Sequence, residues 1–406
     1  MSSLFTPDFF TNNRRRLQAA MPTDAPIVLT ANGLLQRGAD SPFPFAQDAN
    51  FWYLTGIDEP DVTVVIDGKR EFLIAPIREG ARATFDGAVD QHELATVSGI
   101  HDVVNESAGW KRVDELLGKT GKVAALAPAD NYIEQFGMYS NPARLRLVER
   151  LQDHVTKLEI IDIRTEMAHL RMLKQPQEIQ AIQTAIDITS ASLNDAFKLR
   201  ADYAYEYELE AQVAAGFRKR GATGHSFEPI VAGGKRACTL HNVANNGALQ
   251  KDELVVVDVG AEYEHYAADI TRTVALQKPT ARQITIYNTV LDVQQYAMDL
   301  LKPGADLRSY EQKVAKYMAR QLKELGIITR LADVRQYFPH ATSHFLGLNV
   351  HDVGDYEQRL QVGCVLTVEP GIYIPEEGIG IRIEDDVLVT KTGIEVLSAQ
   401  LPRKLF

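Results

Sequence analysis

The sequence predicts an α/β domain over residues 1–170 followed by an α+β domain over residues 171–406, the second built from two curved half-sheets backed by helices. Three observations carry that expectation. A length of 406 residues favours two domains at roughly 100–200 residues each. The first part alternates short β-rich runs with helical segments. The rest repeats one order of elements twice, a pair of helices and then a β-ribbon, and each ribbon carries two carboxylates.

In the first domain, NRRRLQAAM reads as a short helix and PIVLTA as the strand after it. DVTVVIDGKREFLIAP holds two β-rich runs separated by Asp67-Gly68, a hairpin signal. VAALAP and KLEIIDI read as further strands, with helices between them. The group Phe51-Trp52-Tyr53 reads as packing within this domain. No glycine pattern here suits a phosphate-binding loop.

Near residue 170 the pattern changes. Pro176 suits the first turn of a long helix with Glu178 close behind. Ile179, Ile182, Ile186, Leu193 and Phe197 recur at helical spacing, and Thr189 fills the stripe. Helices over about 176–199 and 205–219 precede HSFEPIVAGGKRACTLH and the strand LVVVDVG. Gly233-Gly234 in that stretch reads as a tight turn. Helices over about 281–300 and 309–325 precede FPHATSHFLGLNVH and VLTVEPGIYI. Two half-sheets of this kind leave one cleft at their junction, where the four acids of the ribbons meet.

Composition narrows the function classes. The chain is 45% apolar and 24% charged, as globular proteins are. Lys and Arg total 43 against 54 Asp and Glu, a formal net charge of −11. That sign repels nucleic acid and anionic membranes, so neither is an expected partner. Cys238 and Cys364 are too few for a disulfide framework or a sulfur-rich metal site, and read as core residues of a reducing compartment. The N-terminal Arg14–Arg16 triplet follows apolar residues instead of preceding a long apolar run, which is not the order of a secretory signal. The apolar run Leu254–Val259 is too short to span a bilayer and contains Asp258. A soluble, cytoplasmic protein is the expectation.

The four acids are Asp258, Asp269, Glu369 and Glu384, each set in β-branched, apolar sequence where a solvated carboxylate is out of place. Brought together they repel unless cations or protons neutralise them. An oxygen-rich site with one imidazole favours Mn²⁺, Mg²⁺ or a related ion over structural zinc. His344 is the candidate imidazole, spaced 4 from His340 and 7 from His351. The residues leave a second reading open, in which some of these acids form salt bridges or cap turns. Asp385 and Asp386, adjacent and placed at a ribbon edge, fit that second reading.

Four segments in order sharpen the choice: RGADSPFPFAQDANFWYLTGIDEPD (37–61), VDVGAEYEHYAADITRT (257–273), HATSHFLGLNVHDVG (340–354), and TVEPGIYIP with GIRIEDDVLV. They resemble the motifs of the pita-bread metallopeptidases, and within them the Xaa-Pro aminopeptidases. The resemblance implies a pita-bread catalytic domain holding two divalent ions per subunit, usually manganese. By the same resemblance, Asp258 holds one ion, Asp269 and Glu384 bridge, and His344 and Glu369 complete the second. The implied activity releases the residue before an N-terminal proline, through a water activated between the ions. Glu369 is the implied proton shuttle, since the proline nitrogen must gain a proton on leaving. His351 and His241 resemble histidines that contact substrate and the developing oxyanion. His340, Arg382 and Tyr373 match positions behind the ligands or in the substrate pocket. Arg382, two residues before Glu384, shares its side of a regular strand. Family precedent implies a homodimer or homotetramer acting on proline-containing peptides.

Three positions depart from the family pattern: Ala46 where arginine is frequent, Ala341 where glycine is, and Phe345 where tryptophan is common. None is a ligand. A prolidase, which cleaves Xaa-Pro dipeptides, is the near rival, and TSHFLG leans toward aminopeptidase P. A methionine aminopeptidase lacks the large N-terminal domain. Creatinase-like relatives do not keep all five ligands. A non-catalytic interaction protein of this fold typically has a degraded ligand set, whereas here it is complete.

Overall fold

The computed structural model describes residues 3–68, 70–128, 137–154 and 157–405. Contacts divide the chain into two compact units, Met1–Leu170 and Arg171–Phe406. In the first, α1 (Pro7–Ala20), β1 (Ile27–Thr30), α2 (Ala49–Thr55), β2 (Thr63–Asp67) and β3 (Arg70–Ala75) come in order. They are followed by α3 (Gly80–Asp86), α4 (Gln91–Ser98), β4 (Val103–Asn105), α5 (Glu106–Thr120) and β5 (Lys122–Ala125). After α6 (Ala143–His154) and β6 (Glu159–Asp162), helix α7 (Arg164–Met172) contains the division.

The six strands form one sheet in the order β4-β3-β2-β1-β5-β6. The Asp67-Gly68 turn joins β2 to β3 as an antiparallel hairpin with Asp67 opposite Arg70, Gly68 taking the left-handed φ of 58°. Lys69 lies outside the described residues. Parallel pairs flank this meander, β3 with β4 and β1 with β5 and then β6. Phe51, Trp52 and Tyr53 are buried in α2, the indole edge-on to Phe5 and Phe10 of the same unit. Arg14, read as part of a basic triplet, is fully buried. It donates to the carbonyls of Leu54 and Ser98 at 2.8 and 3.0 Å and pairs with Glu71.

The second unit opens with α8 (Pro176–Lys198), whose first turn is closed by Glu178 accepting from the Gln175 N–H at 2.9 Å. Its apolar stripe buries Ile182, Ile186, Leu193 and Phe197, with Ile179 half-buried. Thr189 in that stripe accepts from the Ala261 N–H. Helix α9 (Glu206–Lys219) follows, then β7 (Gly224–His225), β8 (Ile230–Gly233), β9 (Leu254–Val259), β10 (Ala261–Tyr263), β11 (Tyr266–Ala267) and β12 (Ile270–Ala275). Antiparallel β8, β9 and β12 make the first half-sheet, with β11-β10-β7 beside it. Gly260 lets β9 pass into β10, since a Cβ there would collide with the Ala268 carbonyl oxygen. The β10–β11 turn uses Glu264 and His265, both at positive φ.

The second half runs through α10 (Ala281–Leu300), α11 (Leu307–Glu324), β13 (Val365–Val368), β14 (Gly371–Ile374), β15 (Ile379–Arg382), β16 (Asp385–Val389) and β17 (Ile394–Val396). Its sheets are β13-β16-β17 and the β14–β15 hairpin. An apolar core of α10, α11 and the inner faces of these strands backs them, with Val290, Val314, Leu366, Ile381 and Val387 fully buried. Residues 340–354 are bends and irregular chain with one isolated bridge, Phe345 to Leu366, not a helix. Among the described residues, no helix is long and apolar enough to cross a membrane.

Candidate metal centre

The acids gather where the two half-sheets meet: Asp258 lies within β9, while Asp269, Glu369 and Glu384 stand at strand ends, just before β12, just after β13 and between β15 and β16. Asp258 on β9 is cross-strand partner to Thr271 on β12, and Asp269 stands two residues before Thr271. Across the junction, the Glu384 N–H donates to the Thr271 carbonyl at 3.1 Å, and Thr273 exchanges hydrogen bonds with the backbone of Arg382. The Asp386 carboxylate accepts from the Asp269 N–H at 3.1 Å. Glu369 follows β13, and its N–H donates to the Thr342 carbonyl at 2.8 Å. The Thr367 N–H donates to the His344 carbonyl at 3.0 Å. Segment 342–344 therefore lies along β13, and its histidine is delivered beside the second pair of acids.

One cavity of about 690 Å³ collects these groups. Asp258, Asp269, His344, Glu369 and Glu384 line it, as do His241, His340, His351 and Arg382. Tyr373 is outside that lining; it is buried behind His340 and Arg382, bonded to both. Phe345 is also outside, buried in the core against Tyr356.

His344 Nδ1 lies 3.0 Å from the Phe345 carbonyl, which can only accept, so Nδ1 carries the proton. Its Nε2 is turned toward Asp269 at 3.4 Å and Glu369 at 3.5 Å, the placement of a ligating imidazole. Ligand atoms of Asp269, His344 and Glu384 lie within 4.8 Å of one another. Asp258 Oδ1 and Glu384 Oε1 are buried without a hydrogen-bond partner. Orphaned carboxylate oxygens in a cluster that also holds an imidazole are what a hard cation would satisfy, so the donor set fits a metal ion.

The electrostatics agree. Burial, aided by neighbouring acids, pushes Asp269 and Glu384 well above the usual carboxylate range. Burial pushes Glu369 up to about 7, with His344 and Arg382 opposing and Asp258 and Glu311 reinforcing. Burial holds His340 down to about 3 and His351 to about 4, so both stay neutral near pH 7. His340 Nδ1 donates to the Ala341 carbonyl at 2.7 Å, and its Nε2 accepts from Tyr373 at 2.9 Å. Tyr373 in turn accepts from Arg382 at 2.8 Å.

Residues 180–391 match metallopeptidase family M24, and residues 10–124 match the aminopeptidase P N-terminal domain. The chain belongs to the aminopeptidase P group of family M24. It is 32% identical to an Xaa-Pro aminopeptidase of Haemophilus influenzae, covering 98% of this chain and 95% of that one. It is 32% identical to an Escherichia coli Xaa-Pro aminopeptidase, covering 100% and 97%. The structure of zinc-substituted Escherichia coli aminopeptidase P in complex with product superposes with a TM-score of 0.87. That structure is 30% identical, with coverage of 99% of this chain and 97% of that chain. A metal-dependent peptidase of pita-bread fold behind an α/β N-terminal domain follows from this membership.

The M24 site also corrects and extends the sequence reading. Asp385 and Asp386 are not ribbon-edge residues: β16 lies between β13 and β17, and both side chains are buried. Asp385 does form the expected ion pair, with Arg272 at 2.7 Å, and also accepts from Ser398 and Gln294. Thr271 was not anticipated. Its hydroxyl donates to Glu384 at 2.7 Å and accepts from Arg382 Nε at 3.2 Å. A threonine among β-branched strand residues offers no local signal of that role. The apolar wall of Phe227, Leu240, Val243, Val350 and Tyr356 was equally illegible. Asp352, next to His351, is buried between Lys174 at 3.0 Å and Arg171 and donates its N–H to the Phe345 carbonyl. It closes the loop that carries His351 back beside His344, the two rings 4.4 Å apart. Both cysteines are free, Cys364 in the core and Cys238 half-buried with burial pushing its thiol up to about 11.

Proposed function

We propose that this chain hydrolyses the bond between an N-terminal residue and a following proline, releasing the first residue. The observation that carries the reading is the cavity itself: Asp269, His344 and Glu384 bring ligand atoms within 4.8 Å of one another, and Asp258 and Glu384 each keep a buried, unpartnered carboxylate oxygen among its lining residues. Curated relatives covered almost end to end bear the name Xaa-Pro aminopeptidase. Asp258, Asp269, His344, Glu369 and Glu384 would hold two divalent ions, manganese for preference given the oxygen-rich donor set. When bound, the ions supply an acidified water and a Lewis acid for the scissile carbonyl.

The remaining work falls to the chain's own residues. Glu369, poised near neutrality by its burial, takes a proton from the nucleophile and returns it to the proline nitrogen, which leaves as a secondary amine. His241 and His351, on the cavity wall, contact the substrate and the developing oxyanion. Arg382 and Tyr373 hold His340 neutral and oriented at the edge of the pocket. Residues 1–170 form the aminopeptidase P-like domain and 171–406 the catalytic one, in a homodimer or homotetramer. Two free cysteines suit a cytoplasmic setting.

The test is metal-stripped protein supplied with Mn²⁺ and three peptides: an Xaa-Pro dipeptide, an Xaa-Pro-Xaa tripeptide, and the tripeptide with alanine replacing proline. Proline- and metal-dependent release of the first residue from the tripeptide is expected. Cleavage confined to the dipeptide makes the chain a prolidase instead. No cleavage by folded protein with any of several metals overturns the reading.

A further inference from the structure

Glu311 in α11 stands outside the ligand set and does not line the cavity, yet it grips the histidine segment. Its carboxylate accepts from the Thr342 N–H at 2.9 and 3.1 Å and from the Ser343 N–H at 3.1 Å. Thr342 and Ser343 lie between His340 and His344, in a stretch that is neither helix nor strand, and both are buried. Buried N–H groups without a regular ladder need a partner, and here one side chain serves both. The carbonyl side of the stretch is tied elsewhere: Thr342 and His344 accept from the Glu369 and Thr367 N–H groups on the β13 side. The peptide units between the two imidazoles are thus clamped from opposite directions, by α11 and by the strand that leads to a ligand. The hydroxyl of Tyr310, the preceding helix residue, bonds the Ser343 side-chain hydroxyl at 2.8 Å and not the backbone of the segment.

We infer that Glu311 is a positioning residue of the metal centre, setting through the 342–343 backbone where His344 and His340 stand relative to Glu369. The inference rests on the metal-centre reading above. Charge-assisted bonds to backbone N–H groups are about twice as strong as neutral ones, which suits an anchor for a segment with no ladder of its own. A further carboxylate beside an already acidic site adds repulsion, so its presence is not explained by charge balance. Glutamine keeps one acceptor oxygen but turns an NH₂ group toward the second N–H. Alanine removes the anchor.

The experiment is a titration of metal-stripped, full-length protein with Co²⁺, read by equilibrium dialysis and by the visible absorption of the bound ion. Wild type, Glu311→Gln, Glu311→Ala and Tyr310→Phe are compared. Wild type is expected to take up two equivalents. In Glu311→Ala one equivalent weakens by ~10–100-fold with an altered spectrum, while the other is retained. Glu311→Gln shows the same change at smaller amplitude, and carries the test alone if the alanine variant does not fold. Tyr310→Phe keeps wild-type affinities. Wild-type affinity and spectrum in the folded Glu311 variants overturn the inference and leave the metal reading intact. Equal weakening in Tyr310→Phe also overturns it, because any loosening of α11 would then suffice. A wild-type protein that takes up no cobalt defeats the metal reading, and this inference with it.

Discussion

Arg382 Nη2 lies 2.6 Å from Asp258 Oδ2, joining residues 124 positions apart across the two halves of the catalytic unit. The same guanidinium reaches Thr271 through Nε and Tyr373 through Nη1. It is a cation in direct contact with the acid cluster, and its planar fork meets three partners at once. One oxygen of Asp258 is consumed by this pair, and the other is buried without a hydrogen-bond partner.

Arg382→Ala should therefore cost more than a surface pair would. Removing one partner of a buried ion pair costs about 3–5 kcal/mol. Urea unfolding of the metal-stripped variant should show a loss of that order. Arg382→Lys should recover little, because an ammonium cannot serve three fixed directions. Full recovery by lysine would show that only the charge matters.

Thr271→Val keeps the strand shape and deletes the hydroxyl between Arg382 and Glu384. Stability should fall by ~1–3 kcal/mol, since two buried polar partners lose a bond. Metal affinity should fall at least ~10-fold as Glu384 loses its orientation. Isothermal titration of the stripped protein measures the second effect, and wild-type affinity would count against an orienting role.

Glu369→Gln removes the proposed proton carrier in nearly the same volume. A loss in kcat of ~10²–10⁴-fold on the proline tripeptide is expected, with a much smaller change in KM. Steady-state kinetics under saturating Mn²⁺ decide it, and a rise in KM alone would argue for a binding role.

Asp352 carries a pH prediction away from the ligands. Burial would raise its carboxyl, but Arg171 and Lys174 overcome that and hold it below its ordinary 3.8. A depressed folded-state pKa contributes stability that is complete above the unfolded value and is lost as pH falls through the folded one. The stability gap between wild type and Asp352→Asn should be constant near neutrality and shrink below about pH 4. Denaturant unfolding across that range checks it, and a gap that widens with acid would contradict the assignment.

Much of the site was legible because carboxylates in β-branched runs are conspicuous. Asp258 in LVVVDV and Glu369 after VLTV have no reason to be there as solvated groups. The helix from Pro176 and the hairpin at Asp67-Gly68 were legible for a similar reason, each signalled within a few residues. The ion pair expected at Asp385 formed, but the edge placement of Asp385 and Asp386 was wrong, because nothing near them in sequence announces Arg272 or the Asp269 backbone, both more than 100 residues earlier. Thr271 and Glu311 were silent for the same cause. A threonine in a strand and a glutamate on a helix are ordinary until their partners are known.

Short-range patterning was enough to name the main helices and strands, their order and the candidate residues with metal-binding chemistry. Periodicity, turn residues and apolar context all act within a few positions of the chain. Which oxygen of Asp258 is spent on Arg382, which hydroxyl links Arg382 to Glu384, and which side chain clamps Thr342 and Ser343 emerged from the folded molecule alone. The first two follow from strand register, where a one-residue shift would turn a side chain to the opposite face, and the third from the packing of a helix against the histidine segment.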